Sequence, residues 1–215
     1  MGRATAELLA AQGVKVAVFD VNGDVPVDVR DAESIARGVD EVRRSLGPVD
    51  ILVNAAGIAA GGPIDGEHYV ETWQRTLAVN LTGAMLTVRA CLEDLRRSRA
   101  GRIVNVASTE ALGAARHTSP YTVSKHGLLG FTRSLAVDLG RSGVTANCVC
   151  PGAIRTPMVQ TAIDQGFGSV IEAMHPIGRI GEPIEVAEAV LWLCSDQASF
   201  VTGHPLAVDG GALAR

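Results

Sequence analysis

Tyr121 and Lys125 stand four residues apart in the stretch TSPYTVSK, residues 118–125. On a helix, that spacing puts both side chains on one face, about 6 Å apart along the axis. A phenol beside an ammonium is an acid/base unit. Free tyrosine ionises at a pH of about 10, and a fixed positive charge nearby favours the phenolate, moving it toward working pH. Ser108 lies thirteen residues before Tyr121, just after the apolar run at 103–106, where a strand gives way to a loop. Loops at strand ends are where catalytic groups commonly sit. The Y-x-x-x-K spacing alone recurs by chance on many helices. The strand before it and the helix opened by Pro120 give it a context.

The elements that must hold these groups can be read in chain order. Residues 3–12 (RATAELLAAQ) predict a helix closed by Gly13. Val14 to Val18 predict an apolar strand ending at Phe19-Asp20. A carboxylate at such a strand tip is a candidate acceptor for ribose hydroxyls and would repel a 2′-phosphate; an ordinary strand-end aspartate is the alternative. Val25 to Val29 leads to a helix over residues 31–45, with Asp31 as its N-cap. Residues 49–53 form a strand suited to burial on both faces. Asn54-Ala-Ala-Gly57 follows, and its small residues would let a ligand approach the backbone closely while the Asn54 amide pins neighbouring elements; a plain turn is the alternative.

One long amphipathic helix is expected over 68–97, with Asn80 in its middle. Asparagine is a poor helix former there and wants a specific partner. Residues 143–149 predict another buried strand, running into Pro151-Gly-Ala-Ile-Arg-Thr-Pro-Met158 with the hydroxyl of Thr156. Residues 158–178 show no clear period and suit a mobile lid over a pocket lined by residues 59–64, 109–118 and the lid itself, where Leu112, Met158, Phe167 and Met174 suggest an apolar substrate body. Glu110 and His117 either contribute polar contacts there or face solvent. A helix over 183–194 and a short strand near 206–208 complete the chain. Strands alternating with helices predict an α/β fold: a doubly wound, mostly parallel sheet in one domain spanning residues 1–215.

Composition agrees. The chain has 215 residues, 47% hydrophobic and 20% charged, with 24 glycines and a net charge of −4. That length suits a single sizeable core. The charge, with no block of one sign, argues against nucleic acid or an anionic membrane surface as a partner. No apolar run reaches the roughly 18 residues of a membrane helix. The cysteines Cys91, Cys148, Cys150 and Cys194 lack C-x-x-C spacing, so a reducing cytoplasm is the expected location and no metal site is expected.

Together, Ser108, Tyr121-x-x-x-Lys125, Asn54-Ala-Ala-Gly57, Asn80, Pro151-Gly152 and the tail Thr202-Gly203…Asp209-Gly210-Gly211 resemble a short-chain dehydrogenase/reductase. The likeness is nearest to the branch of 3-oxoacyl-ACP reductases and NAD-linked secondary alcohol dehydrogenases, and it covers nearly the whole chain. It implies a Rossmann-like fold and hydride transfer between a nicotinamide cofactor and a ketone or secondary alcohol. Under that resemblance Tyr121 exchanges the proton with the substrate oxygen, and Lys125 holds the nicotinamide ribose and lowers the phenol's pKa. Ser108 orients the substrate oxygen, and Asn80 supports a water relay to Lys125. Asp20 and Asp28 bind the adenosine side, Asn54, Ala55 and Gly57 the ribose region, and Ile154 and Thr156 the carboxamide. Gly2, Val29, Pro151 and Gly152 complete the cofactor-binding set. NAD is favoured over NADP. A homo-oligomer, dimer or tetramer, is implied, built on the helices at 68–97 and 120–139.

Two departures from the family pattern carry structural expectations. The family opens with a strand and a T-G-x-x-x-G-x-G turn, of which Met1-Gly2-Arg3 resembles only the end. The strands at 14–18 and 49–53 would then lack the neighbour between them: either they pair directly, or something else fills the gap, or the fold is weakened. Each buried, unsatisfied backbone group costs about 1–3 kcal/mol, against a whole-domain stability of about 5–15 kcal/mol. Second, only four residues separate Asp20 from Val25, whereas a parallel crossover needs roughly a dozen. Asn22-Gly23 reads as a type I′ hairpin turn. Residues 25–28 are therefore expected either to pair antiparallel with 14–20 or to miss their usual parallel edge position. Three readings follow: an active oxidoreductase, a cofactor-incompetent scaffold acting through oligomerisation, and a nucleotide-sugar enzyme of the extended family. The last lacks room for a substrate domain after residue 180.

Overall fold

The computed structural model describes every residue except Asp24, Arg215 and the side chain of Met158. The chain opens with helix α1 (Gly2–Ala11), and Gly13 takes the positive φ of +80° that ends it. Strands β1 (Phe19–Asp20) and β2 (Val25–Pro26) follow, then α2 (Ala32–Ser45), whose N-cap Asp31 accepts from the Glu33 amide at 2.9 Å. Strand β3 (Ile51–Asn54) precedes α3 (Tyr69–Leu77) and α4 (Gly83–Arg97). Strand β4 (Arg102–Val106), the long helix α5 (Ser119–Leu139) and β5 (Thr145–Pro151) come next. The chain ends with the short helices α6 (Pro157–Ala162) and α7 (Gly168–Ala173), then α8 (Pro183–Cys194) and β6 (Pro205–Val208).

Strands β3-β4-β5-β6 form one parallel sheet in that order. Their period of two sorts the core into two layers. Ile103 of β4 and Ala146 of β5 turn toward α2, α4 and α5, where they meet Val39, Leu95 and Leu139. Val104 and Val149 turn the other way onto Val186, Val190 and Leu193 of α8. Helices thus cover both faces, as the alternating pattern predicts. All four cysteines are free and buried.

Three expectations need correction. Residues 14–18 form no strand; the run is largely exposed, and among the described residues it does not pair with β3. Consequently β3 is only half-buried along its length rather than enclosed on both faces. Nor is there an antiparallel hairpin: β1 and β2 form a separate two-stranded parallel ribbon, Phe19 opposite Val25 and Asp20 opposite Pro26. The reason is local. Asp20 Oδ1 accepts the Asn22 amide at 2.9 Å, and the Asp20 carbonyl accepts the Gly23 amide at 3.1 Å. This Asx turn centres on Val21-Asn22, and neither Asn22 nor Gly23 takes the positive φ a type I′ turn requires. Apolar anchoring holds the ribbon in place, since Phe19 and Val27 press on α2 so closely that a Cβ on Gly38 would stand 2.7 Å from Val27 Cγ2.

The expected single helix over 68–97 is also broken. Residues 78–82 form a π turn between α3 and α4, centred on Asn80. Such bulges recur at functional sites because they re-aim a side chain out of the helical register. Residues 158–178, expected to be irregular, are α6 and α7 joined by a second π turn in which Gly166 takes a φ of +89°.

Candidate active site

The carboxyl ends of β3, β4 and β5 converge on a cavity of about 330 Å³. Ser108 stands on its wall. The Ala107 amide continues the β4 register by donating to the Val149 carbonyl at 2.8 Å; Ser108 Oγ then accepts the Glu110 amide at 3.1 Å. That bond fixes the hydroxyl's position and leaves its hydrogen free to donate.

Tyr121 lies in the first turn of α5, which Pro120 pre-organises. Lys125, one turn on, is 4% exposed and directs Nζ at the Val106 carbonyl, 2.9 Å away. Its Nζ is 5.5 Å from the centroid of the Tyr121 ring. The predicted spacing is therefore realised, but not the predicted electrostatics. Burial pushes the Tyr121 phenol up, opposed by a hydrogen bond with Ser108 and reinforced by the charge of Glu110. Burial also pulls the Lys125 ammonium down to about 8. Desolvation is the leading cause at both groups.

Asn80, 1% exposed, supplies the scaffold between these parts. Its Oδ1 accepts the Ile58 amide at 2.9 Å, and its Nδ2 donates to the Ile58 carbonyl at 2.9 Å and to Ser124 Oγ at 3.0 Å. Ser124 in turn donates to the Tyr121 carbonyl at 2.7 Å. The π turn is what lets one amide grip the loop after β3 and helix α5 together. A Cβ on Gly57 would stand 3.5 Å from both Asn80 Oδ1 and Lys125 Nζ, so these groups share one corner of the site.

The residues expected to meet a dinucleotide divide into several groups. Asn54 pins β3 to β4 by donating to Asn105 Oδ1 at 2.9 Å, as its position after the strand suggests. Gly2 starts α1 against the end of β3, where its own Cβ would lie 3.2 Å from that of Ala55. The first amides of that ten-residue helix have no side-chain cap and form a site suited to an anion. Asp20 is exposed at the end of β1. Asp28 is engaged locally: side-chain hydrogen bonds from Arg30, one of 2.6 Å, hold its carboxyl at about 2. Val29 is packing, with Cγ2 only 2.8 Å from where a Gly83 Cβ would be. Pro151 ends β5, Gly152 donates to the Val208 carbonyl, Ile154 is buried beneath the loop, and Thr156 is the N-cap of α6.

The apolar wall expected from 158–178 is not found. None of the described side chains there lines the cavity, whose walls are Ala59, Ala60, Gly61, Ser108–Glu110, Thr118, Tyr121, Gly152 and Ala153. Phe167, Met174 and Leu112 are exposed instead, and the Met158 side chain lies outside the described residues. Two side chains escaped the sequence reading. Ser124 is signalled only by lying one turn from Tyr121 on the same helix. His175 is buried, its Nδ1 2.8 Å from the Ile171 carbonyl and its Nε2 accepting from the Ala153 amide at 3.1 Å. It ties α7 to the loop after β5, and a lone histidine before a proline gives no sign of that.

Chemically, this arrangement offers a hydroxyl donor, a buried phenol and an ammonium with one carbonyl partner among the described residues. Lysine carries three hydrogens, so the ammonium retains donors for a hydroxylated ligand.

Comparison with known proteins gives concordant results. A family model described as enoyl-(acyl carrier protein) reductase matches residues 1–212. The chain is 38% identical over 229 residues to 2,5-dichloro-2,5-cyclohexadiene-1,4-diol dehydrogenase of Sphingobium indicum, covering 98% of this chain and 92% of that protein. The ligand-free aldohexose dehydrogenase of Thermoplasma acidophilum superposes with a TM-score of 0.95 at 34% identity, covering 100% of this chain and 90% of the other. ElxO with NADP bound superposes with a TM-score of 0.93 at 25% identity, covering 100% and 94%.

Proposed function

The chain belongs to the short-chain dehydrogenase/reductase family, and from that premise we propose that it interconverts a ketone and a secondary alcohol with NAD as cofactor. The family assignment makes it an oxidoreductase. The observation that carries the finer reading is the convergence of Ser108, Tyr121, Lys125 and Asn80 beside one cavity at the strand ends.

Each residue's part follows from its contacts. Ser108 donates to the substrate oxygen and steadies the charge that develops on it. Tyr121 gives its phenolic proton to that oxygen in reduction and, as the phenolate, takes the alcohol's proton in oxidation. Lys125 directs its remaining hydrogens toward the corner it shares with Gly57, where ribose hydroxyls would lie, and Asn80 keeps that corner in register. When bound, the nicotinamide supplies or accepts the hydride. The residues present fit such a group: uncapped α1 amides at Gly2 for the pyrophosphate, Asn54, Ala55 and Gly57 for the riboses, and Pro151, Gly152, Ile154 and Thr156 along the nicotinamide side. Asp20 favours NAD because its carboxylate would repel a 2′-phosphate. Arg30, the nearby cation in sequence, is already committed to Asp28. Asp28 and Val29 would then border the adenine. Self-association is proposed through α3–α4 and α5, where Val70 of α3 and Val123 and Val137 of α5 are exposed.

A second reading, a scaffold of this family that binds no cofactor, draws on the outer edge of β3, which pairs with no strand among the described residues. Calorimetric titration of NADH and NADPH into the purified chain separates the two. NADH binding in preference to NADPH, followed by ketone-dependent NADH oxidation, supports the enzyme; a cooperative melt with neither nucleotide bound supports the scaffold.

A further inference from the structure

Glu110 is the charged side chain among those lining the cavity beside Tyr121, and the proton chemistry leaves it unused. It is held in place: Oε2 accepts from Thr118 Oγ1 at 2.7 Å and from Thr122 Oγ1. Those two threonines lie four residues apart at the start of α5, so the helix that presents Tyr121 also fixes this carboxylate. Oε1 has no hydrogen bond among the described residues, and no cation there pairs with Glu110. A half-buried carboxylate without a counter-charge is costly unless some other donor meets it. Its charge also reaches the reacting phenol, which it pushes up. A substrate seated between Ser108 and Tyr121 therefore shares its small cavity with one open anionic acceptor.

We propose that Glu110 determines substrate class: Oε1 accepts a hydrogen bond from a second hydroxyl of a neutral diol, polyol or hydroxyketone, and its charge excludes substrates that carry a carboxylate there. The inference rests on the reading of this cavity as the place where a secondary alcohol or ketone reacts. The remaining walls suit it. Ala59, Ala60, Gly61, Gly152 and Ala153 leave room for a ring or short chain, and Thr109 and Thr118 are polar. A hydrogen bond to a charged group changes affinity by about ten- to a hundredfold, and a like charge in a site of reduced dielectric weakens binding comparably.

The test is the oxidation of cyclohexanol, the cyclohexanediols and 2-hydroxycyclohexanecarboxylate with NAD by the purified chain. The expected ranking in kcat/KM puts at least one diol about tenfold or more above cyclohexanol, and the hydroxy acid about tenfold or more below it. Glu110→Gln keeps an oxygen acceptor for the threonines while removing the charge. It should bring the hydroxy acid close to cyclohexanol and shrink the diol advantage. Equal rates for all three classes in the unaltered chain, or ratios that Glu110→Gln leaves unmoved, would overturn the proposal while leaving the oxidoreductase reading intact. Oxidation of none of them, with NAD demonstrably bound, would sink both. Because equal rates in the unaltered chain overturn the proposal by themselves, it stays refutable even where the Glu110→Gln chain fails to fold.

Discussion

Lys125 holds its ammonium 5.5 Å from the Tyr121 ring centroid and donates to the Val106 carbonyl, so the site's cation is buried against a strand end rather than paired with a carboxylate. Burial brings that ammonium down to about 8 from an ordinary 10.5. Between those values the unfolded chain binds a proton that the folded chain does not, so this group's contribution to stability rises with pH there. Below pH 8 the full penalty, on the order of 3 kcal/mol, is present. Lys125→Met should therefore melt higher than the parent below pH 8, with the difference closing toward pH 10.5, while turnover is lost. The buried thiols act in the opposite sense. Burial pushes Cys148 to about 11 and Cys150 and Cys194 to about 12, so both chains should lose stability as pH rises above 9. Thermal melts across that range decide it; a difference independent of pH would refute the buried-charge account.

Tyr121→Phe removes only the phenolic oxygen. Turnover should fall by at least about a thousandfold, a general acid/base contribution compounded by the loss of the group Ser108 faces. The melting temperature should stay within a few degrees. Turnover within tenfold of the parent would assign the proton to another group.

Asn80→Ala strands the Ile58 amide and carbonyl and the Ser124 hydroxyl, all in a buried setting. The expected cost is about 2–4 kcal/mol in urea unfolding, with a weaker cofactor affinity as the Gly57 corner loosens. A loss below about 1 kcal/mol would mean that water replaces the amide.

Asp20→Asn removes the charge proposed to repel a 2′-phosphate but keeps an acceptor for the Asn22 amide. The NADH-over-NADPH affinity ratio should narrow by about tenfold, roughly the value of one charge–charge contact near a surface. Titration of both nucleotides measures it directly, and an unchanged ratio would remove Asp20 from cofactor selection.

How much of this was legible in the chain differs element by element. Helix α8 lies where the sequence predicts a helix over 183–194, and the structure adds the capping box of Glu182 and Glu185 at its start. Strands β4 and β5 are apolar runs that could only be buried, and Pro120 marks the start of α5. The Asn80 side chain was recognisable as out of place in a helix, although the π turn that gives it partners was not. Glu110 was legible as part of a pocket-lining loop, with its polar role left open. Its place in the cavity depends on Thr118 and Thr122, which fold back onto it from the next helix.

By itself, then, the sequence determined the periodicities, the order of strands and helices, and the four-residue step from Tyr121 to Lys125, because each depends on neighbours a few residues away. Only the tertiary structure decided three other things: that Phe19 and Val27 anchor the β1–β2 ribbon on α2, that burial pushes the Tyr121 phenol up, and that the described side chains of α6 and α7 lie off the cavity walls. Those outcomes depend on which distant groups are packed together and on how much water that packing excludes, quantities no local stretch of the chain encodes.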